Sequence, residues 1–400
     1  MNQLNVSTFQ EASSALRHPD LAQCMYDAGA VVMDQVLLSL HGEAHRLRRL
    51  LELRVFRKGF LAYYEHEVFP PTLAATLAPY LAAGRANLIE FGYRVTINLT
   101  ADFAGIDRPE RSIEETETLF RLVKTFSEGA TLVHSKRDRA EVEREVRAAL
   151  EVLRTRFLQP SAARRLALIE QVAAGSMDEA GLPRDVLTVL LRNEDKVDLP
   201  PDVLLREMAF YLQAGSHSTA NSMVHALHEI GLWCEAHPDD AARVRDDLLF
   251  LQRCVHESMR LHPASPVAWR RPTCPVLLAS GDTAGDTDRI VIDLAAANRD
   301  RSIFGEDADR FNPMRRLPPG VFPYGMTFGT GIHACLGRDL DGGVVAREVV
   351  DPAAHQYGLV TLLVSSLLRA GARTVAGDPP TADANTQRQN WGRYPVEFAR

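Results

Sequence analysis

Beginning at Leu199-Pro200-Pro201-Asp202, a helical pattern runs through Met208, Phe210 and Leu212 to Leu232 and is apolar on much of its circumference. Proline and an acid in the first turn suit a helix start, and His237-Pro238 closes this segment or the next one. A helix this long and this apolar has no polar face wide enough to lie on a surface. It is therefore predicted to cross the core with other elements packed around it. Most of the remaining chain reads as helix too. Residues 141–157 alternate charge around a spaced apolar stripe, the pattern of an amphipathic surface helix. Residues 357–368 hold the longest apolar run; it contains Thr361 and two serines and is too short for a bilayer, so a buried helix is expected there.

Strand signals are few and short: residues 4–8, 276–278, 290–292 and 394–398, with a turn rich in Gly, Asp and Thr at 281–288. Residues 313–330 are rich in proline and glycine without a period, which predicts a long ordered loop of functional use. No repeat, low-complexity tract or flexible linker interrupts the chain. A single domain over residues 1–400, mainly α with small β-sheets, is the simplest account. The formal net charge of −7 has the wrong sign for phosphate backbones, so no nucleic-acid partner is expected. Five widely spaced cysteines, with no CxxC pair, argue against a disulfide framework and for a reducing, cytoplasmic setting. The first 17 residues lack a basic start followed by an apolar core, so neither a signal peptide nor a membrane span is expected.

The chemistry concentrates in Phe328-Gly329-Thr330-Gly331-Ile332-His333-Ala334-Cys335-Leu336-Gly337. Two glycines two apart let the backbone turn tightly and approach a flat partner. Cys335 comes next, at the apparent start of a helix, where the dipole and free amides favour thiolate. A thiolate held in an apolar site is a soft, strongly donating metal ligand. Gly337 leaves room for a ring to pack close to that helix. Every fixed position of F-G-x-G-x-H-x-C-x-G is present, and the segment thereby resembles the signature of the cytochrome P-450 family. The competing reading is a buried structural cysteine in a Gly-rich turn. The resemblance implies a cytochrome P-450 fold with heme b (iron protoporphyrin IX) between a long central helix and the cysteine loop with the last helix. It implies Cys335 as the iron ligand, with Phe328, Gly329 and Gly337 around the ring.

The same resemblance extends to other segments. Glu257 and Arg260 lie three apart, hence on one helical face, just before His262-Pro263. Alone, such a pair is usually solvated. Asp309-Arg310-Phe311-Asn312-Pro313 resembles the segment supplying a second arginine, so Glu257, Arg260 and Arg310 are expected to form a buried network bracing the cysteine loop. Ala297-Asn298-Arg299-Asp300 also looks like a common bacterial family segment. Heme propionates need cations. The family's partners map onto His45 and Arg49, four apart, onto Arg270 with Arg271 as a close rival, and onto His333. Without the cysteine segment, residues 41–49 would read as a solvated basic face. Arg46, Arg48, Arg315, Arg316 and Arg338 would gather on the cysteine side of the heme. That suits an acidic electron donor of ferredoxin or flavodoxin type with its reductase, the alternative being a solubilising surface.

The pattern breaks in Ala214-Gly215-Ser216-His217-Ser218-Thr219. Gly215 and hydroxyls that bond back one turn predict a local opening of the long helix, making room for dioxygen. The family usually has an acid followed by threonine here; this chain has His217 and Ser218, with Thr219 next. His217 reads as a substitute acid or a substrate-binding group, or else as a histidine packed between helices. The chain also begins almost directly at the segment resembling the family near residue 6, so its N-terminal part is shorter than usual. Asp341-Gly342-Gly343 and Asp351-Pro352 interrupt the expected last helix. The implied activity is insertion of one oxygen atom from dioxygen into an apolar or amphipathic small organic molecule, held against residues 208–215, 264–269 and 24–40. The alternatives are a peroxide-driven or redox-neutral heme-thiolate enzyme, and a non-catalytic heme-binding relative. The absence of arginine between residues 210 and 230 weighs against a peroxide-driven enzyme of the fatty-acid kind.

Overall fold

The computed structural model describes residues 2–197, 199–346 and 351–399. The long helix spans Pro201–Ala236, with Pro201 at its first position, and buries residues on every side. Helix Leu88–Ala104 crosses it at close range. A Cβ on Gly215 would stand 2.4 Å from Thr100 Cγ2, and one on Gly92 would stand 3.1 Å from Ala220 Cβ. The two glycines are therefore the notches that let the helices touch. This corrects the expected opening at Gly215: the helix stays α-helical through the segment. The hydroxyls do bond back, Ser218 to the Ala214 carbonyl (2.7 Å) and Thr219 to that of Gly215 (2.9 Å), without unwinding the turn.

The amphipathic pattern at 141–157 becomes helix Arg139–Leu153, capped by Asp138, with one wide turn after it to Leu158. The apolar run at 357–368 becomes helix Leu359–Arg369, buried through Val360, Leu363, Val364 and Leu367. The helices enclose one large apolar core around the central helix. No helix among the described residues is long and apolar enough to cross a membrane.

All four strand segments form strands. Gln3–Val6 pairs in parallel with Arg289–Asp293, which pairs antiparallel with Val267–Pro272, and that strand in turn with Leu21–Gln23. Helix Phe9–Arg17 covers this sheet through a smaller core of Leu16, Ile290 and Ile292. Pro395–Glu397 joins Arg85–Asn87 and Arg373–Thr374. The turn at 281–288 holds a two-residue strand, Thr283–Ala284, paired with Val276–Leu277. Residues 313–330 form the expected loop, without helix or strand.

Candidate functional site

The cysteine loop is a closed turn. Cys335 N–H donates to the Phe328 carbonyl (2.8 Å) and Gly329 N–H to that of Met326 (2.8 Å). Gly331 has φ of +75°, and a Cβ there would stand 2.6 Å from the Leu16 carbonyl oxygen. Only glycine fits that approach to the sheet-covering helix. Phe328 anchors the turn edge-on against Tyr324, 4.9 Å between rings.

Cys335 lines a cavity of about 340 Å³ and is exposed to it. Across that cavity stands the central helix at Ala214, Gly215, His217, Ser218 and Thr219. The helix expected to begin at Cys335 is only Arg338–Asp341, so the cysteine precedes it rather than opening it. The thiol is accordingly not lowered. Burial, then the Asp341 carboxylate, push it up to about 11 against the pull of the Gly337 amide, Arg49 and Arg338. A thiolate here needs a cation directly on the sulfur. The helix is interrupted after Asp341: residues 342–346 and 351–358 are not helical, and residues 347–350 lie outside the described residues.

The structure brings His45, Arg49, Arg270, His333, Phe328, Gly329, Cys335 and Gly337 to this one cavity. Arg270 rather than Arg271 turns inward. Alternate residues of Val267–Pro272 are buried, and Arg271 instead pairs with Asp27 on the outside (2.9 Å). Arg49 donates to the Ala334 carbonyl (2.6 Å), and the His45 and His333 rings lie 4.3 Å apart. None of the four basic side chains has a carboxylate partner among the described residues. His45 Nε2 and both nitrogens of His333 are buried without a hydrogen-bond partner. Burial, then the neighbouring cations, depress His45 to about 4 and His333 to about 2, and burial lowers Arg270 to about 10. Buried cations and orphaned donors clustered beside a thiol call for an acidic, metal-bearing group. A heme with two carboxylates meets that need, so the residues present fit the cofactor.

Behind the loop, Arg260 is fully buried and grips Glu257 with two bonds (2.8 and 2.7 Å). The second arginine is Arg315, not Arg310. Arg315 reaches Glu257 Oε1 through Nε (3.2 Å) and Nη2 (3.1 Å), while Arg310 is exposed and lends only its carbonyl oxygen. Asn298 then carries this network to the loop. Its Oδ1 accepts from Met326 N–H (2.7 Å), and its Nδ2 donates to the Arg260 carbonyl (3.0 Å). The basic face expected near Cys335 is correspondingly smaller. Arg48 is buried on Glu207 (2.8 Å) and Arg315 on Glu257, whereas Arg316 stays exposed and Arg46 and Arg338 pair with Glu43 and Asp339.

On the central helix, Arg388 Nη1 donates to His217 Nε2 (3.2 Å), so Nδ1 carries the proton and donates to the Tyr93 hydroxyl (2.5 Å). Burial, with Arg388 and Lys124, drives His217 down to about 3. It is neutral near pH 7 and positioned by two partners. Thr219 donates to Asp341 Oδ1 (2.6 Å), whose carboxyl is raised to about 6 by burial. Arg388 and Tyr93 were not singled out by the sequence, and Asn298 and Asp341, quoted there within longer segments, were given no role at the site.

The sequence profile described as Cytochrome P450 matches residues 166–340. Over that stretch, somewhat under half of its length, the chain is similar to the cytochrome P450 family. That similarity implies a heme cofactor, which the cavity fits. Among relatives, the cytochrome P450 family protein EryCII of Saccharopolyspora erythraea is 38% identical over 205 residues, covering 50% of this chain and 47% of its own. The cytochrome P450 monooxygenase PikC of Streptomyces venezuelae is 32% identical over 159 residues, covering 39% and 36%. The chain thus spans about half or less of the length of the curated relatives it matches. Solved cytochromes P450 share the fold almost end to end. HmtT, of himastatin biosynthesis, superposes with a TM-score of 0.73 at 23% identity over 99% of this chain and 91% of that one. P450BioI, solved with an acyl carrier protein, gives 0.73 at 18% over 99% and 92%.

Proposed function

We propose that this chain is a cytochrome P450, a heme-thiolate monooxygenase that inserts one oxygen atom from dioxygen into an apolar or amphipathic small molecule. Residues 1–400 would act as a single domain in a cytoplasmic setting, with electrons from a separate ferredoxin or flavodoxin-type donor. The observation that carries this reading is the placement of the Cys335 sulfur opposite residues 214–219 across one cavity rimmed by unpaired cations. Heme b would be held by Cys335 at the iron and by His45, Arg49, Arg270 and His333 at the propionates. When bound, it supplies the one-electron and dioxygen chemistry that no side chain provides.

The chain's own residues do the rest. Leu37, Leu38, Phe210, Ala264 and Val267 line the cavity, bind an apolar skeleton and exclude water. They come from the three segments expected to hold substrate. Ser218 and Thr219 offer hydroxyls at the wall, and Asp341 holds Thr219 through a carboxyl that is partly protonated near neutrality. His217, neutral and tied to Tyr93 and Arg388, is a positioning and binding group rather than a proton donor.

The missing acid at position 217 favours a second reading, a peroxide-driven or redox-neutral enzyme on the same heme. The deciding experiment loads the chain with heme, reduces it and adds carbon monoxide. A strongly red-shifted Soret band, lost in Cys335→Ala, is expected. A band typical of a neutral axial ligand would overturn the thiolate assignment. Supplying reductant and donor in parallel with hydrogen peroxide alone separates the two readings by which of them oxygenates a substrate.

A further inference from the structure

Residues 383–390 form a loop that closes on itself through Asp383 N–H and the Asn390 carbonyl (2.9 Å). It is tied to residues 134–136 by Gln387 N–H to the His134 carbonyl (2.9 Å) and Lys136 N–H to that of Asn385 (3.1 Å). These bonds fix the backbone so that the Arg388 side chain runs inward, 9% exposed, to the wall of the cavity that holds Cys335. There the guanidinium has one neighbour in hydrogen-bond reach, the neutral His217. Its Nε is buried with no partner, and it forms no ion pair with any described carboxylate.

The carboxylates that border these cavities are engaged elsewhere. Asp341 accepts from Thr219, and Asp293 accepts from Ala296 N–H. The groups packed around Arg388 supply hydroxyls and imidazoles, from Tyr26, Tyr93, His134 and His217, and none of these is a carboxylate. Arg388 also lines a second cavity of about 420 Å³ with a mixed lining, bordered by Asn221, Ser222 and Asn390 as well as Leu261 and Ala264. It therefore stands where an apolar chamber meets a more polar one.

An isolated buried guanidinium is costly unless an anion joins it. Its planar edge, Nε beside the Nη groups, matches a carboxylate side-on. We propose that Arg388 anchors a carboxylate of the substrate, so that this cavity selects amphipathic monoacids over neutral compounds of the same skeleton. The apolar body would lie against Phe210, Leu38 and Val267, with the acid end at Arg388 and His217. The inference rests on the reading that this cavity holds substrate beside heme.

The test uses the full heme-loaded ferric chain without reductant. Decanoate and methyl decanoate, and 4-phenylbutyrate and its methyl ester, are titrated by Soret shift and by calorimetry. The acid of each pair is expected to bind about 10- to 100-fold more tightly than its ester. Arg388→Gln should abolish the preference and Arg388→Lys retain part of it, with the carbon monoxide band and melting temperature certifying both variants. Equal binding of acid and ester by the parent chain, failure of both acids to bind, or a preference that survives Arg388→Gln overturns the proposal. In a second stage with reductant and electron donor added, acid preference without any oxygenated product would sink the monooxygenase reading alone. Oxygenation of neutral compounds without acid preference would sink this inference alone.

Discussion

Arg315 and Arg310 offer a sharp contrast, because the family resemblance points to one and the structure to the other. The Arg315 side chain is 6% exposed and donates to Glu257, to Asp307 Oδ1 (2.6 Å) and to the carbonyls of Phe304, Asp307 and Arg310. Arg315→Ala removes all of these donors and leaves Glu257 buried with Arg260 and the Asn312 amide. Breaking a buried ion pair from one side costs about 3–5 kcal/mol. With an unfolding entropy of about 2.1 cal/mol/K per residue, a chain of 400 residues should lose about 4–6 °C in melting temperature. Arg310→Ala removes an exposed side chain and should stay within about 0.5 kcal/mol of the parent. Melting of the heme-loaded proteins, monitored by Soret absorbance and circular dichroism together, reads both effects. Equal losses in the two variants, or a larger loss in Arg310→Ala, would refute the assignment of the bracing arginine.

The contacts of the site give two more expected outcomes. Asp341 has a folded pKa of about 6 against an ordinary 3.8, so its contribution to stability is fully present below the ordinary value and is lost as pH rises through about 6. Asp341→Asn should therefore gain up to about 3 kcal/mol on the parent between about pH 4 and pH 8, and a urea-unfolding difference that does not change with pH would refute this. Gly331→Ala forces a side chain into positive φ and against the Leu16 carbonyl. It should cost about 1–3 kcal/mol and lower heme occupancy, whereas unchanged melting and occupancy would show that the loop tolerates displacement.

What the sequence revealed was local. Six fixed residues around Cys335 sit within ten positions, and the four-residue spacing of His45 and Arg49 puts both on one helical face. The central helix announced itself by lacking a polar side. Arg270 could have been separated from Arg271 by strand parity, since inward positions alternate along Val267–Pro272. Arg315 could not be separated from Arg310, because residues 313–330 have no period to say which way a side chain points. Gly215 was misread for a related reason: a glycine in a helix looks like weakness in one dimension and like a contact in three. Asp341 and Arg388 reach the cavity from chain segments 122 and 171 residues beyond their partners on the central helix, a distance over which no local pattern carries information.

The two guanidiniums and two neutral imidazoles around Cys335 bear on how such a chain matures. They are spread over a helix, a strand and the cysteine loop; without a shared anion the two guanidiniums repel one another and the buried imidazole nitrogens stay unpaired. Porphyrin arriving from the cell's supply would therefore act as the last structural component, stabilising the native chain by mass action as its concentration exceeds the dissociation constant. Scarcity of porphyrin would leave the chain open to proteases at these three elements first. Abundance of the protein would then track heme synthesis, coupling the amount of scaffold to the amount of cofactor without a dedicated regulator.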